Sequence, residues 1–244
     1  MDGRQIVIRH ITIHNTTTAD TMITVHHLNN SRSQRVLWLL EELGLPYEIA
    51  RYQRDAKTML APPGLLAVHP LGKSPVITDG DQTVAETGAI FEYLIERHAP
   101  GQLVPAAGTP QHLRWRYWLY FAEGSAMPPL VMKLVFDTIA SAPMPFFVRP
   151  IAKAICGKAM AAVVTPNLTR QLDFMEAELT AQPWFAGAEF SAADIMMSFP
   201  LEAAAARAGL DGSRPKLMAF VTRIHARPAY RRALKRGGPY SFAD

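Results

Sequence analysis

A single cysteine, Cys156, stands in the 244 residues. That count excludes an internal disulfide, a Cys-x-x-Cys redox pair and a cysteine zinc cage. A reducing compartment suits it, and a cytoplasmic protein is expected. Charge of one sign is also scarce: 25 Lys and Arg face 21 Asp and Glu, for a net charge of +4. Basic residues gather near the end of the sequence (Arg223, Arg227, Arg231, Arg232, Lys235, Arg236), but Ala and Pro separate them and no aromatic row is interleaved. The pattern is that of a solvated helix face, and no nucleic-acid partner is expected. Long apolar runs are missing too. Met127 to Val164 comes nearest, yet Lys133, Asp137, Arg149, Lys153 and Lys158 interrupt it. A membrane span needs about twenty predominantly apolar residues, so no integral membrane segment is expected. Residues 1–21 lack the apolar core and the small-residue cleavage site of a secretory signal, and are expected to form a poorly ordered arm.

What is present is regular. The apolar fraction of 49% is ordinary for a globular protein. Ile23 to Leu28 alternates as a strand and ends in Asn29-Asn30-Ser31-Arg32-Ser33-Gln34. Val36, Leu39, Leu40 and Leu43 then mark a helix that stops at Gly44, with Pro46 beyond. Tyr47 to Tyr52 is a second strand, and the segment from Asp55 to Leu66 holds a short helix. Val76 and Ile77 open a hairpin that turns at Asp79-Gly80 and returns through Thr83 to Ala85. Ala89, Ile90, Tyr93 and Leu94 are spaced as one helix face, and the Thr87 hydroxyl is placed to cap that helix. The order is β-α-β-α-β-β-α. A helical crossover implies a parallel first pair of strands, and the tight hairpin an antiparallel edge. Breakers crowd residues 99–110, which read as a linker. Beyond it the patterns are helical, with Ser191-Ala-Ala-Asp194 in the form of a capping box.

The stretch His69 to Leu94, with Ser74-Pro75 before a strand and Glu86-Thr87 at a helix start, resembles the glutathione-binding half of the cytosolic glutathione transferase superfamily. The loop His26 to Arg35 is most similar to a bacterial and fungal serine-type branch. The resemblance implies an α/β thioredoxin-like N-terminal domain (22–98) followed by an all-α C-terminal domain (111–244), joined by the linker 99–110. It implies an enzyme that uses glutathione as co-substrate, adding its thiol to a hydrophobic electrophile, with detoxification as the broad role. It also implies a homodimer and a cis Ser74–Pro75 bond. Peroxide or disulfide reduction, or a non-catalytic glutathione-sensing or partner-binding module, are the alternatives.

The chemistry asks for little machinery. A cysteine-like thiol has a pKa of about 8.5, and lowering it by about two units takes roughly 2.7 kcal/mol of preference for the anion. One or two hydrogen bonds to the charged sulfur, each about 1.5–3 kcal/mol, suffice. By resemblance the donor lies in the first loop. Counting back from Arg35-Val36 reaches Asn30, with Ser31 adjacent; Ser31 is favoured, Asn30 stays open and Ser33 is a distant third. Lys73 is assigned to the glycine carboxylate of glutathione, Ser74 (held by Pro75) to the cysteinyl backbone, and Glu86 and Thr87 to the γ-glutamyl end. Trp115, Met127, Met132 and Phe136, with Phe146 and Phe147, are expected against the acceptor, Met being suited to adaptable surfaces. His26 and His27 point to opposite faces of a strand, so no metal is expected.

Overall fold

The computed structural model describes residues 22–243 apart from Ala56 and Met59, so the expected N-terminal arm lies outside the described residues. Four strands form one sheet in the order β2-β1-β3-β4. β1 (Ile23–Leu28) runs parallel to β2 (Tyr47–Tyr52) and antiparallel to β3 (Val76–Asp79), which turns into β4 (Gln82–Ala85). Val25 and Ile77, paired across β1 and β3, have no exposed surface.

α1 (Ser33–Leu43) ends at Gly44, whose φ of 66° is the left-handed geometry that glycine adopts at no steric cost. Its apolar residues run all round, as they do in helices buried on every side. One face packs on β1 and others meet α8 (Ala192–Arg207) and α10 (Pro228–Gly237). Trp38, which the single-face pattern leaves out, stands edge-on to Tyr230 of α10 at 5.0 Å between centroids. α2 (Pro63–Val68) and α3 (Thr87–His98) complete the first half.

The second half begins at α4 (Pro110–Phe121), continues through a π-helical turn (Ala122–Ala126) into α5 (Met127–Ser141), and turns back at residues 142–148. α6 (Arg149–Ala159), a second π turn (Met160–Val164) and α7 (Thr165–Ala181) form the returning arm. α9 (Pro215–His225) lies between α8 and α10. Among the described residues no helix is long and apolar enough to cross a membrane.

α8 is the helix around which this half packs, buried from Ala192 to Ala204. At its start Asp194 accepts from the Ser191 N–H at 2.9 Å, as the capping pattern implies, and from the Phe185 N–H at 2.9 Å. Burial pushes the Asp194 carboxyl up to about 6 against these bonds. Pro200 lies inside the helix. It has no N–H to give to the carbonyl four residues back, that of Met196. The freed Met196 carbonyl instead accepts from Arg35 Nη1 at 2.7 Å. Arg35 is buried, and its other terminal nitrogen reaches Thr87 Oγ1 at 3.4 Å and the Glu123 carboxylate. One side chain of α1 thus pins α3, α8 and the first π turn together.

Candidate functional site

The loop after β1 folds its polar side chains inward because the sheet and α1 leave them no water. Ser31 is 4% exposed and His27 5%, with Ser33 fully covered. Buried polar groups must find partners, and these find one another. Ser31 Oγ and Ser33 Oγ are 2.7 Å apart, and Ser33 Oγ lies 2.8 Å from His27 Nδ1. Burial, aided by Arg51 and opposed by the backbone of Gly237, lowers the His27 pKa to about 4. A neutral imidazole offers one donor and one acceptor, so its tautomer sets the direction of the chain. With the proton on Nδ1, His27 donates to Ser33, Ser33 to Ser31, and the Ser31 proton, aimed at Ser74 Oγ 3.5 Å away, can turn to an arriving anion. With the proton on Nε2 the chain reverses and Ser31 donates to Ser33.

Ser74 comes to the same place. Its hydroxyl donates to the His26 carbonyl at 2.9 Å, accepts from the Leu28 N–H at 3.3 Å and lies 3.5 Å from Ser31 Oγ. The Ser74–Pro75 bond is cis, as expected. His26 turns the other way, its Nδ1 3.0 Å from the Tyr52 hydroxyl and its Nε2 3.3 Å from Thr78 Oγ1.

Asn30, Ser31 and Ser74 line a cavity of about 670 Å³ whose far wall is α5 and whose end is α8 and the C-terminal tail. A wider depression of about 740 Å³ along α6 and α7 contains none of these groups. Asn30 adopts φ 48°, and its Oδ1 accepts from the Ser241 N–H at 2.9 Å and from its hydroxyl at 3.1 Å. Its carbonyl oxygen therefore anchors the tail. Thr87 is the first residue of α3 and its side chain caps no N–H; the hydroxyl faces Arg35 instead. Glu86 precedes it at φ 70°, exposed, and Lys73 is exposed beside Ser74.

The acceptor wall departs from expectation. Met127 lines the cavity, together with Leu130, Val131 and Leu134, the i, i+3, i+4, i+7 face of α5. Met132 and Phe136 share a different face of the same helix and do not line it. Trp115 is 4% exposed, belongs to the core, and stacks at a tilt on His112 at 5.4 Å. Phe146 and Phe147 lie at the tip between α5 and α6, Phe146 83% exposed, away from the cavity. Phe199, Arg207 and Phe242 do line it, and sequence spacing gave no sign of them: α8 reads as uniformly apolar, and Phe242 follows the last patterned helix.

A thioredoxin-like sheet with a cis-proline loop, an appended all-helical domain, and a buried hydroxyl opening on the cleft between them define a class of protein. Residues 20–96 match the family model for the glutathione S-transferase N-terminal domain, and residues 135–228 that for its C-terminal domain. The chain is 35% identical to glutathione S-transferase 1 of Saccharomyces cerevisiae over 190 residues, covering 75% of this chain and 81% of the relative. It is 36% identical to glutathione S-transferase 3 of Schizosaccharomyces pombe, covering 75% and 74%. A crystal structure of a glutathione S-transferase from Actinobacillus pleuropneumoniae superposes with a TM-score of 0.72 at 29% identity, covering 91% of this chain and 96% of that one. The chain belongs to the glutathione S-transferase family, and is an enzyme of the glutathione transferase kind.

Proposed function

We propose that Ser31 activates the glutathione thiol by donating a hydrogen bond to its thiolate, and that the acceptor is a hydrophobic electrophile held between α5, Phe199 and Phe242. The observation that carries this reading is the meeting of Ser31 and Ser74 at one end of the cavity, Oγ to Oγ 3.5 Å. The Ser74 backbone pairs with the cysteinyl unit there, next to the hydroxyl that receives the sulfur. Glu86 meets the γ-glutamyl ammonium and Thr87, beside the Arg35 guanidinium, its carboxylate. Lys73 neutralises the glycine carboxylate. Asn30 has a supporting part, since its Oδ1 holds the tail that brings Phe242 to the cavity. The protein works as a homodimer in the cytoplasm, detoxifying such electrophiles.

The deciding experiment is a pH titration of bound glutathione by the ultraviolet absorbance of its thiolate. Ser31→Ala should raise the thiol pKa by roughly one to two units, the loss of one charge-assisted bond of about 1.5–3 kcal/mol, while Asn30→Ala shifts it less. A normal titration in Ser31→Ala with a raised one in Asn30→Ala would move the role to Asn30.

A further inference from the structure

The cations around the cavity are not equally committed. Lys133 is bonded to Asp137 at 2.7 Å and Arg32 to Glu123 at 3.3 Å, and Arg54, which also lines the cavity, is engaged as well. Arg207 has no carboxylate partner among the described residues. It lies in the last turn of α8, with its guanidinium carbon 4.7 Å from the centre of the Phe242 ring. Phe242 in turn meets Phe199 edge to face at 5.3 Å. The residue before it, Ser241, is the one bonded to Asn30, the neighbour of Ser31. A guanidinium with no carboxylate partner among the described residues is therefore set across an aromatic pair from the hydroxyl that receives the sulfur. On the reading above, glutathione's own carboxylates are held elsewhere, by Thr87 and Lys73. The charge on Arg207 is left for the second substrate.

We propose that this cavity selects electrophiles that carry a carboxylate, the apolar body lying on Phe199, Phe242 and the Leu130–Leu134 face of α5, and the acid group on Arg207. The inference rests on the assignment of Ser31 to the thiolate, which fixes the reacting end. An unsaturated ketone with a carboxylate at its remote end fits the chemistry. The sulfur pair forms the S–C bond at the β-carbon, the C=C pair moves on to the carbonyl as an enolate, and the enolate takes a proton from water at the α-carbon. The carboxylate takes no part in the bond changes. It supplies a charge-assisted, geometrically specific contact to a guanidinium that presents paired N–H donors.

The test is the ratio of kcat/KM for an aryl enone bearing a carboxylate to that for its methyl ester, measured within each variant of the full chain so that a general loss of activity cancels. The intact protein should favour the acid by about tenfold, the scale of one charge-assisted bond at a partly solvated site. Arg207→Gln should bring the ratio to about one, and Arg207→Glu should invert it. Equal use of acid and ester by the intact protein would overturn the proposal, as would a preference that survives in Arg207→Gln. Ser31→Ala separates the two assignments: it should lower kcat/KM for both acceptors and keep the ratio. If Ser31→Ala lowers neither, the Ser31 reading fails, while the ratio in the Arg207 variants still decides the anion site.

Discussion

The two walls of the cavity are built in opposite ways. On the sheet side, Ser31, Ser33 and His27 are covered and bonded to one another, and Arg35 behind them is held by three partners. On the other side, Val131 and Leu134 of α5 keep between two-fifths and half of their surface open even though they face the cleft. The hydroxyls, the imidazole and the terminal guanidinium nitrogens of that wall hold one geometry, since moving one leaves another unpaired, although Arg35 Nε and the Gln34 amide are buried without a partner. A wall of half-open aliphatic side chains repacks at little cost. The contrast suits a reaction in which one reactant never changes and the other varies.

The largest test of that contrast is to unpin the rigid side. Arg35→Met leaves the Met196 carbonyl and the Glu123 carboxylate without their buried guanidinium. Burial alone would push the Glu123 carboxyl up, but Arg35 and Arg32 hold it below its ordinary range. Removing one partner of such a pair costs about 3–5 kcal/mol, and urea unfolding should show a loss of that order. Restoring a backbone donor with Pro200→Ala offers the Met196 carbonyl an intrahelical bond that competes with Arg35. Paired with Arg35→Met it should recover part of the loss, about 1 kcal/mol for one neutral hydrogen bond.

Next comes pH. His27 is pushed from its ordinary 6.5 to about 4 by burial and Arg51. Between these values the unfolded chain binds a proton that the folded one refuses, so stability falls as pH drops through this window. The full effect is about 3 kcal/mol, from about 1.36 kcal/mol per pKa unit. Asp194 works against it: its carboxyl is raised, so the folded state binds a proton first and gains stability over the acid side of the same range. The His27 share is therefore read by difference. Unfolding of the intact chain and of His27→Gln at about pH 7 and about pH 4.5 should show the steeper acid loss in the intact chain.

A smaller effect is expected from the hydroxyl chain. Ser33→Ala removes the acceptor that competes for the Ser31 proton but also the donor that orients it. If the Nδ1–H tautomer of His27 prevails, the thiol pKa of bound glutathione should rise by a few tenths to about one unit in this variant. If the other tautomer prevails, it should fall. Smallest of all is Leu134→Ala on the open wall. Its stability cost should stay within about 0.5–1 kcal/mol, in keeping with a half-exposed site. The KM for apolar acceptors should nonetheless rise severalfold, and a KM unaffected by Leu134→Ala would end the division of labour drawn between the walls.

Much of the sheet-side wall was legible before any coordinates. The limits of β1 and β2, the stop at Gly44 and the hairpin follow from local pattern and turn chemistry, while the convergence of the Ser31 loop with Ser74-Pro75 was implied by the family resemblance alone. His27 was weighed only as half of a metal pair, because its partner Ser33 lies across a turn that strand alternation does not describe. Arg35 served as a counting mark; its role depends on Pro200, which is 165 positions later (200 − 35). The open wall was the harder reading. Met127, Met132 and Phe136 were set against the acceptor together, as an adaptable apolar surface where the resemblance places the pocket; Met127 lines the cavity, and the other two lie on another face of α5. Trp115 was drawn into the core by α8, and Arg207 and Phe242 enter the cleft through tertiary folding alone.

The π turn at Ala122–Ala126 joins two helices that would otherwise run as one. Such a turn holds one residue more than the α-helix it interrupts, and each residue of a helix turns it by about 100°. Shortening the chain by a single residue here would let α4 and α5 fuse in register. Because a π turn winds its extra residue into about the sweep of an ordinary α turn, Met127, Leu130, Val131 and Leu134 would keep their face toward the cleft. What a one-residue deletion would remove is the widened turn that carries Glu123, the carboxylate that Arg35 and Arg32 share behind the glutathione side.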